Sequence, residues 1–373
     1  MFQTPLRVVS ALRPNVSPLV IVATAVSTVV FTATPFLITG LADTYDMRPG
    51  RVGIISTAQL AGFVVASWGA GRLLRPRRRV VVWAVLLGAA ANIVSALVPF
   101  VALIGVRVVS GLSLGAIAWI AWAEVFGDDE RTGDIAVVGP LVGTVASPLL
   151  SSVMDLAGSD WVFIGLGVIH LVPLAFVGTS RLESPDRIAS QRHRPTRAAV
   201  AMLVALGLLT FGGSSVFIYA AAIGTDEVGL GVVVVSLVFS ANNIVGIPSA
   251  RWRGERRHAA LWAGVTATCA VIVAAVHIGP LFIAALTIWG FAFWMTVPAA
   301  FSTLARHSRY PAERAGDAQA YMAAGRVVGP VMGGAMYEVA PTALAIVGGG
   351  TMLLAAAVFA VMEQRPGVAA PES

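Results

Sequence analysis

Apolar blocks of about twenty residues, broken by short polar segments, recur from one end of the chain to the other. A helix of that length rises far enough to cross the ~30 Å hydrocarbon core of a bilayer, and a helix satisfies its own backbone there. The pattern predicts twelve spans. Six run over Pro18–Leu41, Val52–Leu74, Val80–Pro99, Val101–Phe126, Ile135–Leu156 and Val162–Val177. Six more run over Ala198–Ile223, Val228–Ala250, Ala259–Ile278, Leu281–Leu304, Ala318–Val339 and Ala343–Met362. Twelve helices of about 21 residues take up about 250 positions, which leaves short loops and tails and no room for a soluble domain.

Composition agrees with this reading. Of 373 residues 57% are hydrophobic and 12% charged, whereas soluble domains carry about 25% charged residues. All 25 basic residues are Arg, a bias that points to a GC-rich bacterial genome more than to a special chemistry. Their placement is more informative, because cytoplasmic loops are enriched in basic residues. With the amino terminus inside, 21 Arg fall in inner segments, Arg48 and Arg51 in an outer loop, and Arg107 and Arg326 within helices. This predicts a multi-pass protein of the bacterial inner membrane with both termini cytoplasmic.

Several function classes drop out. The basic residues are spread over membrane-flanking loops without a folded nucleic-acid-binding module, so no nucleic acid is expected. Arg7 and Arg13 precede an apolar segment that is too long for a signal peptide and lacks a convincing cleavage site, so it reads as the first span. Cys269 stands alone, and His170, His193, His258, His277 and His307 lack metal-ligand spacing, so neither a disulfide within the chain nor a metal site is expected. No nucleophile with its base appears near the bilayer, so the chain does not read as an enzyme, and no cofactor is implied.

The two sets of six spans repeat one another. Thr179–Arg197, the longest polar stretch, divides them, giving an amino-terminal bundle over 1–178, a cytoplasmic linker over 179–197 and a carboxy-terminal bundle over 198–373. Each half has an Arg cluster after its second helix (Arg75 to Arg79, and Arg251 to Arg257) and a proline hairpin between its third and fourth, at Pro99 and Pro280. The repeat is sharpest where Glu130-Arg131-Thr132-Gly133-Asp134 echoes Glu313-Arg314-Ala315-Gly316-Asp317. Further on, Gly143-Thr144-Val145-Ala146-Ser147-Pro148 parallels Gly325-Arg326-Val327-Val328-Gly329-Pro330. Duplicated bundles of this kind are a hallmark of secondary transporters.

The motifs then resemble one family. Arg107, four residues before Gly111 within Leu103–Gly115, looks like the fourth-helix motif of the major facilitator superfamily, where the Arg serves proton coupling or cavity charge. Gly316, Gly325, Gly329, Pro330, Gly333 and Gly334 fit the glycine-proline spacing of its antiporter motif, which in that family sits in helix five. Here helix five keeps Gly143 and Pro148 but has Ser147, Ser151 and Ser152 where Gly is expected. Gly69 and the Arg run with Arg77 and Arg78 resemble the family's loop after helix two, with Leu73 in place of its Asp, and Gly254 and Arg256 stand in the second-half counterpart. The resemblance implies an all-α membrane fold of twelve transmembrane helices in two pseudo-symmetric six-helix bundles, working by alternating access.

Charged residues inside a bilayer cost ~2.5 to 3.5 kcal/mol on insertion scales and usually face a cavity or a partner. Arg107 and Arg326 therefore lead the candidates for a substrate cavity. Arg107 lies about 12 Å down its helix, and Arg326 is similarly deep from the other end of its own. Helical spacing adds Gln59, Trp122, Ser151, Ser240, Asn243 and Gln319. Asp155, at the outer end of the polar stripe on helix five, is the candidate proton-carrying carboxylate, with Arg107 as its conditional partner. Pro148, Gly325, Gly329, Pro330 and Gly333 join the loop residues as gating elements, since proline in a span frees a carbonyl and permits a bend. The expected activity is proton-coupled efflux of a small solute by a monomer in the lipid bilayer. The alternative is uptake or facilitated passage of a small organic anion; an intramembrane enzyme or a non-transporting receptor is more remote.

Overall fold

The computed structural model describes residues 16–73, 77–125, 129–179, 193–250, 252 and 258–367. The described residues are almost wholly helical and group into twelve rods. In the first half these are α1 (Pro18–Thr44), α2 (Ile54–Leu73, preceded by a single turn at Pro49–Val52), α3 (Arg78–Ser95), α4 (Phe100–Val125), α5 (Asp129–Ala157) and α6 (Ser159–His170, continued as a 3-10 segment Val172–Thr179). In the second half they are α7 (Arg197–Phe217), α8 (Val232–Ala250), α9 (Ala259–Ala275), α10 (Gly279–Arg306), α11 (Pro311–Val339) and α12 (Gly350–Gln364, reached through Pro341–Leu344 and a π turn Ala345–Gly349). A further π turn, Ile223–Glu227, follows α7.

Ten of these rods are long and apolar enough to cross a membrane. Of the expected twelve, α9 is short at 17 residues, and α11 is diluted by Arg314, Asp317, Gln319, Arg326 and Glu338. Helix α11 begins at Pro311, seven residues before the start the apolar pattern suggests. Its first turns are polar and stay helical because Arg314 pairs with Asp317 at 2.6 Å and donates to the His193 carbonyl at 2.7 Å. Proline occupies the first helical positions at Pro18, Pro49, Pro311 and Pro341, where its missing N–H costs nothing and its fixed φ suits the helix.

Packing repeats from half to half. Helix α2 lies on α4, α3 on α4 and α6, and α1 on α5 and α6; six positions on, α8 lies on α10, α9 on α10 and α12, and α7 on α11 and α12. Two six-helix bundles related by pseudo-symmetry result. They meet along two seams that the same symmetry exchanges, α2 with α11 and α5 with α8.

In lipid there is little hydrophobic drive between helices, so association rests on close backbone approach. Glycine permits it here. A Cβ on Gly111 would strike the Gln59 carbonyl and one on Gly115 the Phe63 carbonyl, so α4 rides against the α2 backbone. Gly325, Gly329 and Gly333 likewise lay α11 on α7, where Thr210 and Ser215 donate to the Met322 and Gly329 carbonyls at 3.0 Å each.

The rods define two faces. Leu19 N–H donates to Thr179 Oγ1 and Arg78 to the Gly178 carbonyl, while Thr196 caps α7 and donates to the His307 carbonyl. One face thus carries the first and last described residues and is called the termini face; the other is the far face. The far face holds Asp43, Asp46, Asp155, Asp160, Asp226, Glu227 and Glu338 against Arg48 and Arg51.

Candidate functional site

Helix α11 presents three sectors. Tyr321, Val328, Val331 and Met332 form an exposed apolar side, and the glycine row meets α7. Val327 accepts from Thr57 of α2 at 3.2 Å through its carbonyl. At 3.6 residues per turn Arg326 points almost opposite the exposed side, into the space between α7 and α2, together with Gln319, Pro330 and Tyr337. Arg326 is half-buried and makes no hydrogen bond or ion pair among the described residues. It lies fifteen residues into the helix, about 22 Å along it, deeper than the shorter expected helix implied. Gln319, two turns nearer the termini face on the same stripe, is exposed.

Arg107 is handled differently. It is 1% exposed, enclosed in the first bundle. One guanidinium nitrogen donates to Asn92 Oδ1 of α3 at 2.9 Å and another to Gln59 Oε1 of α2, and its carbon lies 5.3 Å from the Phe163 ring centroid of α6. Gln59 Nε2 and Ser110 Oγ are buried nearby on the same helices without a partner among the described residues. One layer on, Ser113 donates to the Ala84 carbonyl at 2.6 Å and sits 3.1 Å from His170 Nε2. Arg107 thus knits four helices through neutral amides and an aromatic face, and it makes no direct interaction with Asp155.

The α5–α8 seam contains Ser240 and Asn243. Pro148 has no N–H to give the carbonyl four residues back, which belongs to Thr144; Ser240 Oγ of α8 takes it at 2.7 Å. Asn243 Nδ2 bonds the Phe239 carbonyl at 2.8 Å, and its side chain packs where Gly143 leaves room. Pro330 likewise withholds its donor from the Arg326 carbonyl, so Thr144 and Arg326 hold equivalent places in the repeat.

Asp155 and Ser151 lie elsewhere, in a far-face cavity of about 300 Å³ between α1, α5, the end of α7 and α8, together with Asp43. Of the gating residues, Gly69 lies within the last turns of α2, Arg77 immediately precedes α3 without a side-chain capping bond, and Arg78 binds the Gly178 carbonyl. The Trp122 side chain, Gly254 and Arg256 lie outside the described residues.

Sequence reasoning missed the far-face latch. Arg48 reaches Glu338 at 3.6 Å, the Arg51 N–H donates to Glu338 Oε1 at 3.2 Å, and Tyr219 Oη donates to the Pro330 carbonyl at 2.7 Å while stacking on Tyr337 at 5.5 Å. Gly50 admits the Glu338 side chain. Carboxylates and tyrosines at span ends are common, so only their meeting across the seam marks them. It also missed Asn92, though a lone amide in an otherwise apolar helix is a usable signal.

The Arg107 cluster yields a stability prediction. Lys lacks the fork that serves two amides at once, so Arg107→Lys should melt below the parent in detergent. Arg107→Met strands two buried acceptors at ~1–3 kcal/mol each, and adding Gln59→Leu and Asn92→Leu should recover part of the loss. A triple variant melting no higher than Arg107→Met would refute the amide clamp.

Comparison with known proteins places the fold. The sequence model of the Major Facilitator Superfamily matches residues 19–333. No curated protein matches the chain. Among solved structures, a variant of the nucleoside transporter NupG is similar at 12% identity and a TM-score of 0.69, over 92% of this chain and 98% of that one. A bacterial homologue of the human lysosomal transporter Spinster, in an inward-facing and occupied conformation, is similar at 12% identity and a TM-score of 0.66, over 97% and 96%. The human organic anion transporter MFSD10 is similar at 15% identity and a TM-score of 0.64, over 95% and 100%. With the matched family model reaching into eleven of the twelve rods and two bundles packed alike, the chain belongs to the major facilitator superfamily and is a multi-pass membrane transporter of a solute.

Proposed function

We propose that the transported solute is small and carries a negative group, held by Arg326 during an alternating-access cycle. The observation behind this is the guanidinium itself: it is deep in the membrane, turned inward, and without hydrogen bond or counter-ion among the described residues. A cation so placed is costly to insert, and a substrate carboxylate or phosphate supplies the partner the protein withholds, with bidentate geometry available to Arg. Arg107, enclosed by amides, supports this site as part of a rigid first bundle. The bundles 1–178 and 198–373, joined by 179–197, are the bodies that rock, with the far-face latch parting as the termini face closes. Twenty-one of the 25 arginines fall in the loops and tails assigned to the inner side, which supports an orientation with both termini cytoplasmic in a bacterial inner membrane.

Proton-coupled efflux is the second reading. It rests on Asp155, which lines a water-accessible cavity at the far face beside the α5–α8 seam, and on the glycine-proline row of α11, where Pro330 loosens the backbone at Arg326. A carboxylate alternately exposed to water and closed off between bundles can load and release a proton.

These readings give three expected outcomes. In proteoliposomes Arg326→Ala should lower uptake of anionic solutes at least about tenfold at equal protein, the scale of one charge-assisted hydrogen bond, and Arg326→Lys should recover only part; full activity in the Ala variant removes Arg326 as a ligand. Asp155→Asn should abolish proton-driven accumulation while solute exchange persists, whereas accumulation with an unchanged pH profile excludes Asp155 from coupling. A tag after Ser373 should be labelled only once cells are permeabilised, and labelling of intact cells would reverse the orientation.

A further inference from the structure

The far-face cavity has features that the anion reading leaves unused. Its ionisable wall groups are two carboxylates, Asp43 near the end of α1 and Asp155 near the end of α5, and no basic residue lines it. The surrounding face is acidic as well, with seven carboxylates against two arginines, a field that concentrates cations and repels anions. Its volume of about 300 Å³ is far more than a bare ion needs and matches the lower end of small-molecule sites.

A second, independent observation lies in the wall. Ser151 is 2% exposed, lines the cavity, and makes no hydrogen bond among the described residues. Its neighbour one turn back, Ser147, returns its hydroxyl to the Gly143 carbonyl at 2.8 Å, the usual way a span satisfies serine. The Ser151 Oγ is not one of the fully enclosed oxygens, so it is open to the cavity, where a guest's N–H group can donate to it.

The apolar part of the wall is backed by rings. Phe36 of α1 lines the cavity and stands edge-on to Phe239 of α8 at 5.4 Å; Phe239 meets Phe217 at 5.3 Å, and Phe217 meets Trp289 of α10 at 5.7 Å. Of these rings Phe36 alone lines the cavity, and with Val232, Val235 and Ala221 it gives an apolar wall beside the two carboxylates. That combination suits a guest with a charged head and an apolar body.

We infer that this cavity is a binding site for a small organic ammonium ion, its charge between Asp43 and Asp155, an N–H on Ser151 Oγ and its apolar body against Phe36 and Val235. Phe36 and Val235 belong to different bundles, so an occupant bridges the seam and favours the conformation in which the far face is closed. The site is separate from Arg326, and equilibrium binding without a gradient reads it whether or not Asp155 also carries a proton.

The test uses the full chain in nanodiscs of neutral phosphatidylcholine, titrated calorimetrically with phenethylammonium and with its uncharged counterpart 2-phenylethanol. Saturable binding of the ammonium alone is expected, weakened at least tenfold in Asp43→Asn/Asp155→Asn and several-fold in Ser151→Ala. Both carboxylates are exposed, so the pair of Asn substitutions leaves the core intact, which melting without ligand checks. In the unmodified chain, raising NaCl from about 0.05 to 0.5 M should also weaken binding, because exposed charges are screened. Equal binding of the alcohol, no saturable ammonium binding, or an affinity indifferent to both salt and the Asn pair would overturn the site.

Discussion

With no water in the bilayer core, every cation and every carbonyl freed by proline has to be met by another part of the chain. Arg107 meets this constraint inside one bundle. Its two amide acceptors and the Phe163 face come from three neighbouring helices, and the result is a fastened unit. A charge satisfied by neutral dipoles alone is held only where those dipoles are already aimed, so Gln59 and Asn92 must be held in place by the tight α2–α4 and α3–α4 packing. Arg326 leaves the same requirement unmet within the described residues, and that difference separates a structural cation from a candidate ligand.

The two proline-bearing helices of the repeat show how one backbone device takes different uses. Pro148 releases the Thr144 carbonyl, and the Ser240 hydroxyl crosses the seam to donate to it, so the α5–α8 contact is tied in the middle of both helices. At the matching place on α11 the freed carbonyl belongs to Arg326, whose side chain faces the gap. One seam is therefore tied by a short hydroxyl, while the other is tied nearer the far face, through Glu338, Arg48 and Tyr219. These far-face contacts are polar and partly exposed, and exposed ion pairs are worth little, ~0–1 kcal/mol. A latch of that kind can part without dismantling the glycine-packed interiors of the bundles.

Much of the architecture was legible because its signals are local. Apolar length, the Arg bias of alternate loops and the Glu-to-Pro echo of helices five and eleven all sit in contiguous sequence. The stripe holding Gln319, Arg326 and Tyr337 also follows from helical periodicity, and Arg326 lies opposite the exposed apolar side of α11. Partnership was not legible: Asp155 and Arg107 both belong to the outer halves of their helices, yet Asp155 lies exposed at a far-face mouth and Arg107 is enclosed within a bundle, because neighbouring helices rotate their faces to suit close packing. Nothing in the spacing of α5 and α4 sets that rotation.

The sequence by itself thus determined the number of spans, the duplicated halves and the residues too polar to meet lipid, since each of these is a property of one helix against the bilayer. Tertiary structure decided which polar groups are used up. Asn92 and Phe163 quench Arg107, Ser240 takes the Thr144 carbonyl, Glu338 binds Arg48, and Arg326 and Ser151 are left over. Those outcomes depend on where glycines let backbones approach and on how each helix turns about its axis, and a hydrogen bond between helices is decided by a few tenths of an ångström that only the assembled bundles define.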